Sequence, residues 1–168
     1  MTIFIHETER RFLIEPEVPL HVTVSNHFVL SYGYITEHSR VRIHSKTLDD
    51  FYALNFEKAF LDIKETDSTL IRRRLSDPLT NNKAIELYNL SEVKFHKIRV
   101  ETFLNGNKWE LDFLPNSTRP FLAEHEFSQS DTIFEINNLI LPDFIGREIT
   151  FDKEYTGYRI AKNMNNRP

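Results

Sequence analysis

The sequence predicts a mainly β domain, an antiparallel sheet or barrel with a few helices packed against it. Two features say so. Six stretches alternate apolar and charged residues with a period of two, and an Asn-Gly pair separates two of those stretches. Composition narrows the chemistry. The 168 residues include 4 Gly and no Cys, which leaves out Gly-rich phosphate loops, disulfides, thiolate zinc sites and cysteine nucleophiles.

The alternating runs are Ile3 to Arg11, Arg40 to His44, Phe60 to Lys64, Lys97 to Phe103, Trp109 to Phe113 and Leu122 to Phe127. In the second, Val41 and Ile43 alternate with Arg40 and Arg42; in the fifth, Trp109, Leu111 and Phe113 alternate with Glu110 and Asp112. Asn105-Gly106 predicts a two-residue hairpin turn with Leu104 facing Asn107. That register sets Arg99 opposite Asp112 and Glu101 opposite Glu110, and puts both charged faces on one side.

One helix is predicted over Pro78 to Leu90 with Asp77 as its N-cap, and another over Thr132 to Ile140, before Pro142. The aromatic insertion holding Phe51, Tyr52 and Phe56 is expected to pack outside the sheet. By parity His6, His125 and Trp109 fall on apolar faces and are expected to be structural, and the 14 Phe are expected in an outer core. The tail from Asn163 to Pro168 is polar and expected to fray. No repeat or linker interrupts the chain, so residues 1–168 read as a single domain.

The net charge of -4 argues against a general nucleic-acid binder, and no apolar run is long enough for a membrane span. A charged N-terminus argues against a signal peptide, and the lack of cysteine fits a reducing, cytoplasmic setting. The charged faces are sorted by sign. Glu7 with Glu9, Glu110 with Asp112 and Glu124 with Glu126 are acidic i,i+2 pairs; Arg40 with Arg42 and Lys97 with Arg99 are basic ones. Like charges on one strand face repel, and such pairs persist most easily with a ligand of opposite sign between them. A closed barrel of about eight strands would enclose one small ligand. Basic rows would take phosphate oxygens and acidic pairs would take Mg²⁺ or Mn²⁺, so a polyphosphate with bound metal satisfies both.

The segment Glu7-Thr8-Glu9-Arg10-Arg11 resembles the ExExK opening of the CYTH superfamily, the triphosphate tunnel metalloenzymes. Further matches follow in order: Tyr32-Gly33-Tyr34 like QGYL, Arg40-Val41-Arg42 like RxR, Ala59 to Lys64 like AxLTxK and Lys97-Ile98-Arg99 like KxR. Trp109 to Phe113 looks like WEIDxF, Ala123 to Glu126 like AEIE, and Ile145 to Asp152 with Tyr155 like LGxEVTxD…Y. The resemblance implies an α+β, mainly β fold, an eight-stranded antiparallel tunnel barrel with flanking helices. It implies a divalent-metal-dependent hydrolase of a linear triphosphate, inorganic tripolyphosphate or thiamine triphosphate, acting as monomer or homodimer.

Residue by residue, the resemblance makes Glu7, Glu9 and Arg11 catalytic. It assigns Arg40, Arg42, Lys64, Arg72, Lys97 and Arg99 to the triphosphate, and Glu7, Glu9, Asp112, Glu124 and Glu126 to Mg²⁺ or Mn²⁺. Two positions depart from the pattern. Arg11 stands for the ExExK Lys. The RxExE strand reads Arg72-Arg73-Arg74-Leu75-Ser76, with Arg74 and Ser76 where the family has acids. The added charge favours anion binding, so a degenerate tunnel that sequesters a nucleotide or polyphosphate is the alternative. A class IV-type adenylate cyclase is the third.

Overall fold

The computed structural model describes residues 2–65, 71–128 and 130–166. The six alternating runs become strands and three more join them, nine in all among these residues: β1 (Ile3–Ile14), β2 (Val24–Tyr34), β3 (Ser39–Ser45), β4 (Lys58–Lys64), β5 (Ile71–Leu79), β6 (Val93–Leu104), β7 (Asn107–Phe113), β8 (Pro120–Phe127) and β9 (Ile145–Glu148). The helices are α1 (Leu48–Tyr52), α2 (Asn81–Leu90), α3 (Ile133–Asn137) and α4 (Gly157–Asn165). Strand order is β5-β4-β3-β2-β6-β7-β8-β1, all antiparallel, and a β5–β1 pairing closes the barrel. β9 lies outside the ring and pairs with β1. No helix among the described residues is long and apolar enough to cross a membrane.

The hairpin register is the one predicted. Leu104 faces Asn107, Arg99 faces Asp112 and Glu101 faces Glu110. Asn105 and Gly106 both take positive φ (53° and 79°), as a type I′ turn requires. The repulsion at Glu101 is relieved by Lys108, whose Nζ lies 2.6 Å from its carboxylate.

Two apolar clusters lie outside the barrel and hold its outward faces. Val41, Ile43 and Ala59 pack against Phe51, Phe56, Ala84 and Tyr88, so the aromatic insertion and α2 cover β3 and β4. Phe12, Trp109, Leu111 and Ala123 pack under Phe144 and Ile145. His125 is buried, hydrogen-bonds the Lys108 carbonyl at 2.7 Å and sits beside Trp109. His6 departs from expectation. It faces outward but is exposed, because the first half of β1 has no cover and Phe4 beside it is 75% exposed.

The first predicted helix begins later than expected. Asp77, Pro78 and Leu79 extend β5, and Thr80 caps α2 by accepting from the Lys83 amide. Only Ile71 to Ser76 of β5 face β1; Pro78 pairs with Phe60 of β4 alone, and a one-sided position tolerates the missing N–H. The second predicted helix is cut to Ile133–Asn137. The Asn138 side chain and amide both donate to the Phe134 carbonyl and end it.

Gly33 of β2 lies close under α2. A Cβ there would lie 2.8 Å from Ser91 Oγ and 3.1 Å from Tyr88 Cα, which is backbone and cannot rotate away. Gly33→Ala is expected to cost about 1–3 kcal/mol by pushing α2 off the sheet. Urea unfolding checks this, and an unchanged midpoint would mean that α2 shifts freely.

Candidate functional site: a charged tunnel

Barrel closure turns one face of each of the eight ring strands inward, and on all but β2 that face carries charges. The cavity inside the ring is about 800 Å³ and is partly open to solvent. β1 contributes Glu7, Glu9 and Arg11; β3 contributes Arg40, Arg42 and His44; β4 ends in Lys64. Arg72 and Arg74 enter from β5, Lys97 and Arg99 from β6. Glu110 and Asp112 of β7 and Glu124 and Glu126 of β8 face them. The cavity therefore holds every residue predicted for catalysis, triphosphate or metal.

The basic and acidic rows interlock. Asp62 is fully buried on β4 and receives both Arg42 Nε (2.6 Å) and Arg42 Nη2 (3.1 Å). Ser76 Oγ donates to it at 2.6 Å, while Arg40 and Arg74 approach to 3.4 and 3.9 Å. Burial works against charge on Asp62, but the Arg42 hydrogen bonds and the charges of Arg40, Arg42 and Arg74 outweigh it and hold the carboxyl below its usual range. On the opposite wall Asp112, also fully buried, takes Lys97 Nζ and Arg99, with Arg99 Nε at 2.8 Å. Arg99 also reaches Glu110 and Glu124, and Arg11 Nε meets Glu124 at 3.0 Å. Burial opposes charge on Glu124, yet Arg99, Lys97 and Arg11 hold it well below the usual carboxylate range.

Towards the β1–β5 seam the pairing changes partners. Arg72 pairs with Glu9 and donates to the Thr150 carbonyl at 2.9 Å; Arg74 pairs with Glu7 at 2.5 Å. Glu9 stands opposite Glu126 across β1 and β8. Glu126 has no cationic partner among the described residues, and burial with the charges of Glu7 and Glu9 pushes its carboxyl up. Lys64 likewise has no carboxylate partner among the described residues. Burial and the Arg40 charge push its ammonium down to about 7, although Glu9 and Glu7 pull the other way.

Several lumen residues carry no sequence prediction. Asp62 shares a strand face with Lys64, so parity places it inside, but its role as the anchor of three guanidiniums needs the β3–β4–β5 pairing. His44 Nε2 accepts from Arg42 Nη1 at 2.6 Å and its ring stacks on Phe28; burial and the Arg42 charge push it down to about 3, so it is neutral. One end of the tunnel is apolar. Leu30, Tyr32, Tyr34 and Phe95 form a third cluster with Ala161 of α4, and Phe121 packs on it. Phe95 and Phe121 thus line the cavity rather than the outer core, because α4 closes that end and supplies apolar cover.

No family model matches the chain. It is 24% identical over 160 residues to an inorganic triphosphatase of Acetivibrio thermocellus, covering 94% of each chain. Two crystal structures of the protein NE1496, one described as an inorganic triphosphatase, align with a TM-score of 0.59 at 22% identity. They cover 92% of this chain and 97% and 93% of theirs. The chain shares the fold of these two structures, a closed eight-stranded antiparallel barrel. The resemblance read along Glu7 to Asp152 holds in architecture, with β9 outside the tunnel as an addition to the ring of eight.

The acids suit a hard divalent cation in kind, as oxygen ligands on one tunnel face. Their disposition is uneven. Asp112 and Glu124 are held by Lys97, Arg99 and Arg11. Among the described residues no three carboxylates or imidazoles are gathered around one point. The best fit is between β1 and β8, where Glu7, Glu9 and Glu126 share a face and Glu126 has no cationic partner among the described residues.

Proposed function

We propose that this protein hydrolyses a linear triphosphate, inorganic tripolyphosphate or thiamine triphosphate, in a reaction that depends on Mg²⁺ or Mn²⁺. The observation that carries the reading is the set of cationic side chains from β1, β3, β4, β5 and β6 converging on one cavity that also holds carboxylates. The similarity to an inorganic triphosphatase along 94% of the chain supports it.

Arg40, Arg42, Lys64, Lys97 and Arg99 hold the phosphate oxygens, the arginines by their planar forks. Asp62 and Asp112 fix Arg42 and Arg99 from behind, so the forks are set before substrate arrives. Glu7, Glu9 and Glu126 would hold the divalent cation, which supplies Lewis-acid polarisation of phosphoryl oxygen. One of these carboxylates orients the attacking water and takes its proton. The water oxygen bonds to the terminal phosphorus, the bridging P–O bond breaks, and the diphosphate (thiamine diphosphate in the case of the thiamine ester) leaves with the electron pair. Catalysis is then mostly placement and charge neutralisation, which suits a rigid barrel.

The experiment is phosphate release from tripolyphosphate, thiamine triphosphate and ATP with Mg²⁺ and then Mn²⁺. Glu9→Gln is expected to lower metal-dependent turnover about 100-fold. Arg42→Ala is expected to weaken tripolyphosphate binding in EDTA by roughly ten- to hundredfold, the loss of one charged hydrogen-bonding group. The second reading, a tunnel that sequesters nucleotide or polyphosphate, is favoured by the lumenal Arg74, which stands where the family has an acid. Tight binding with no release of phosphate would select it, and a cyclic product from ATP would select a cyclase.

A further inference from the structure

On the reading that the tunnel binds a triphosphate, we propose that Arg72 and Arg74 are exchangeable counter-ions. Without substrate they clamp Glu9 and Glu7; with it they move onto phosphate oxygens and release both carboxylates to a divalent cation.

The tunnel contains two kinds of ion pair. Arg42 and Arg99 are fixed, each spending two nitrogens on an aspartate that is fully buried at the wall. Arg72 and Arg74 differ. Their main partners Glu9 and Glu7 are 14% and 11% exposed where Asp62 and Asp112 are fully buried, Arg74 comes no closer than 3.9 Å to Asp62, and both pairs line the open cavity. They are also diagonal pairs. Glu7 stands directly opposite Arg72 and Ile5 opposite Arg74, so each guanidinium reaches two residues along β1 to its acid. A side-chain rotation, with no change of register, redirects it inward. Arg74 also has a buried Nε–H with no hydrogen-bond partner among the described residues, a donor left over for an incoming oxygen.

Charge balance favours a concerted swap. Glu7, Glu9 and Glu126 lie close on adjoining strands, and removing their counter-ions with nothing in return would leave repelling charges in a partly dry site. A triphosphate accompanied by a divalent cation compensates both sides. Each arginine exchanges a carboxylate for a phosphate, and the carboxylates exchange two guanidiniums for one dication. No buried charge is left alone at either end. The two β5 arginines thereby guard the acids from metal in the empty tunnel.

The test uses the full chain and two ligands applied separately, because Mn²⁺ and triphosphate also bind each other in solution. Mn²⁺ alone is titrated by electron paramagnetic resonance into wild type, Arg72→Gln, Arg72→Gln/Arg74→Gln and Arg73→Gln. Arg73 points outward to Glu65 and serves as the charge control. Tripolyphosphate alone is titrated in EDTA by calorimetry into the same proteins, with thermal melts to establish folding. The double variant is expected to bind Mn²⁺ about tenfold more tightly than wild type and tripolyphosphate about tenfold more weakly. Arg73→Gln should change neither, and adding Glu9→Gln should remove the gain in Mn²⁺ affinity. Arg72→Gln alone should give part of the effect, should the double variant not fold. Equal Mn²⁺ affinity in wild type and folded variants overturns the clamp. Equal tripolyphosphate affinity overturns the exchange. Tripolyphosphate that fails to bind wild type overturns the triphosphate reading, and the Mn²⁺ titration distinguishes that failure from failure of the clamp.

Discussion

Asp62→Asn is expected to destabilise the substrate-free protein by about 3–5 kcal/mol, the cost of breaking a buried ion pair from one side. Asp62 is fully buried and faces Arg42, Arg40 and Arg74, with Ser76 as a fourth partner. Asparagine keeps the shape and removes the charge, so three guanidiniums would crowd one wall without their anion. For a chain of this size the melting temperature should fall on the order of 10 °C. The sign with pH follows from the depressed carboxyl. Its contribution is present above the ordinary aspartate value of about 4 and is lost as pH falls from there towards the folded-state value. Wild type should therefore lose part of its advantage over Asp62→Asn below pH 4. Tripolyphosphate should recover much of the loss at neutral pH, since it brings negative charge to the same arginines. Melts of both proteins with and without tripolyphosphate decide it. A loss below about 1 kcal/mol would mean that water reaches the cluster and screens it.

That expectation rests on a residue whose role the sequence concealed, and the reason is physical. Alternation is legible where one face of a strand meets charge and the other meets hydrocarbon, which is why β3, β4, β6, β7 and β8 could be read within a few residues. β2 could not be read that way. Its inward face carries Leu30, Tyr32 and Tyr34, and its outward face carries Val29 and Gly33 under α2, so both faces are buried. The stripes of charge were legible, and so was their common side. The partners were not, because they are set by strand neighbours distant in sequence. Arg74 meets Glu7 only when β5 closes on β1, and Arg11 meets Glu124 only across β1 and β8. The aromatic end was hidden for a similar reason: Phe95 and Phe121 look like outer core until α4 supplies the lid over them. β5 and β9 have no strong pattern of their own, and only the family resemblance pointed to them.

Lys64 is expected to set the pH dependence of tripolyphosphate binding. It lies at the end of β4, opposite Arg74 in register, with Arg40 close enough to oppose its charge. Burial and that neighbour bring it to about 7, against 10.5 for an unperturbed lysine. Near neutrality it is therefore about half protonated in the empty tunnel. A bound triphosphate reverses the balance, because an adjacent polyanion favours the ammonium and lifts it back towards its ordinary value. Binding must then draw in a proton, about half of one at pH 7 and close to one at pH 8.5. Between those states the affinity contributed by Lys64 falls about tenfold per pH unit. Lys64→Met should bind tripolyphosphate more weakly at pH 6.5, and its deficit should shrink as pH rises. Calorimetry in buffers of different ionisation enthalpy isolates the proton, and subtracting the Lys64→Met value removes any uptake by tripolyphosphate itself. Stability of the empty protein moves the opposite way and rises with pH. The folded state binds fewer protons than the unfolded state between pH 7 and 10.5, so this lysine's destabilising effect is full below pH 7 and fades across that window. Lys64→Met should accordingly melt higher than wild type at pH 6.5, by a margin that narrows towards pH 10. Equal proton uptake by the two proteins would place the lysine charge outside the anion's reach.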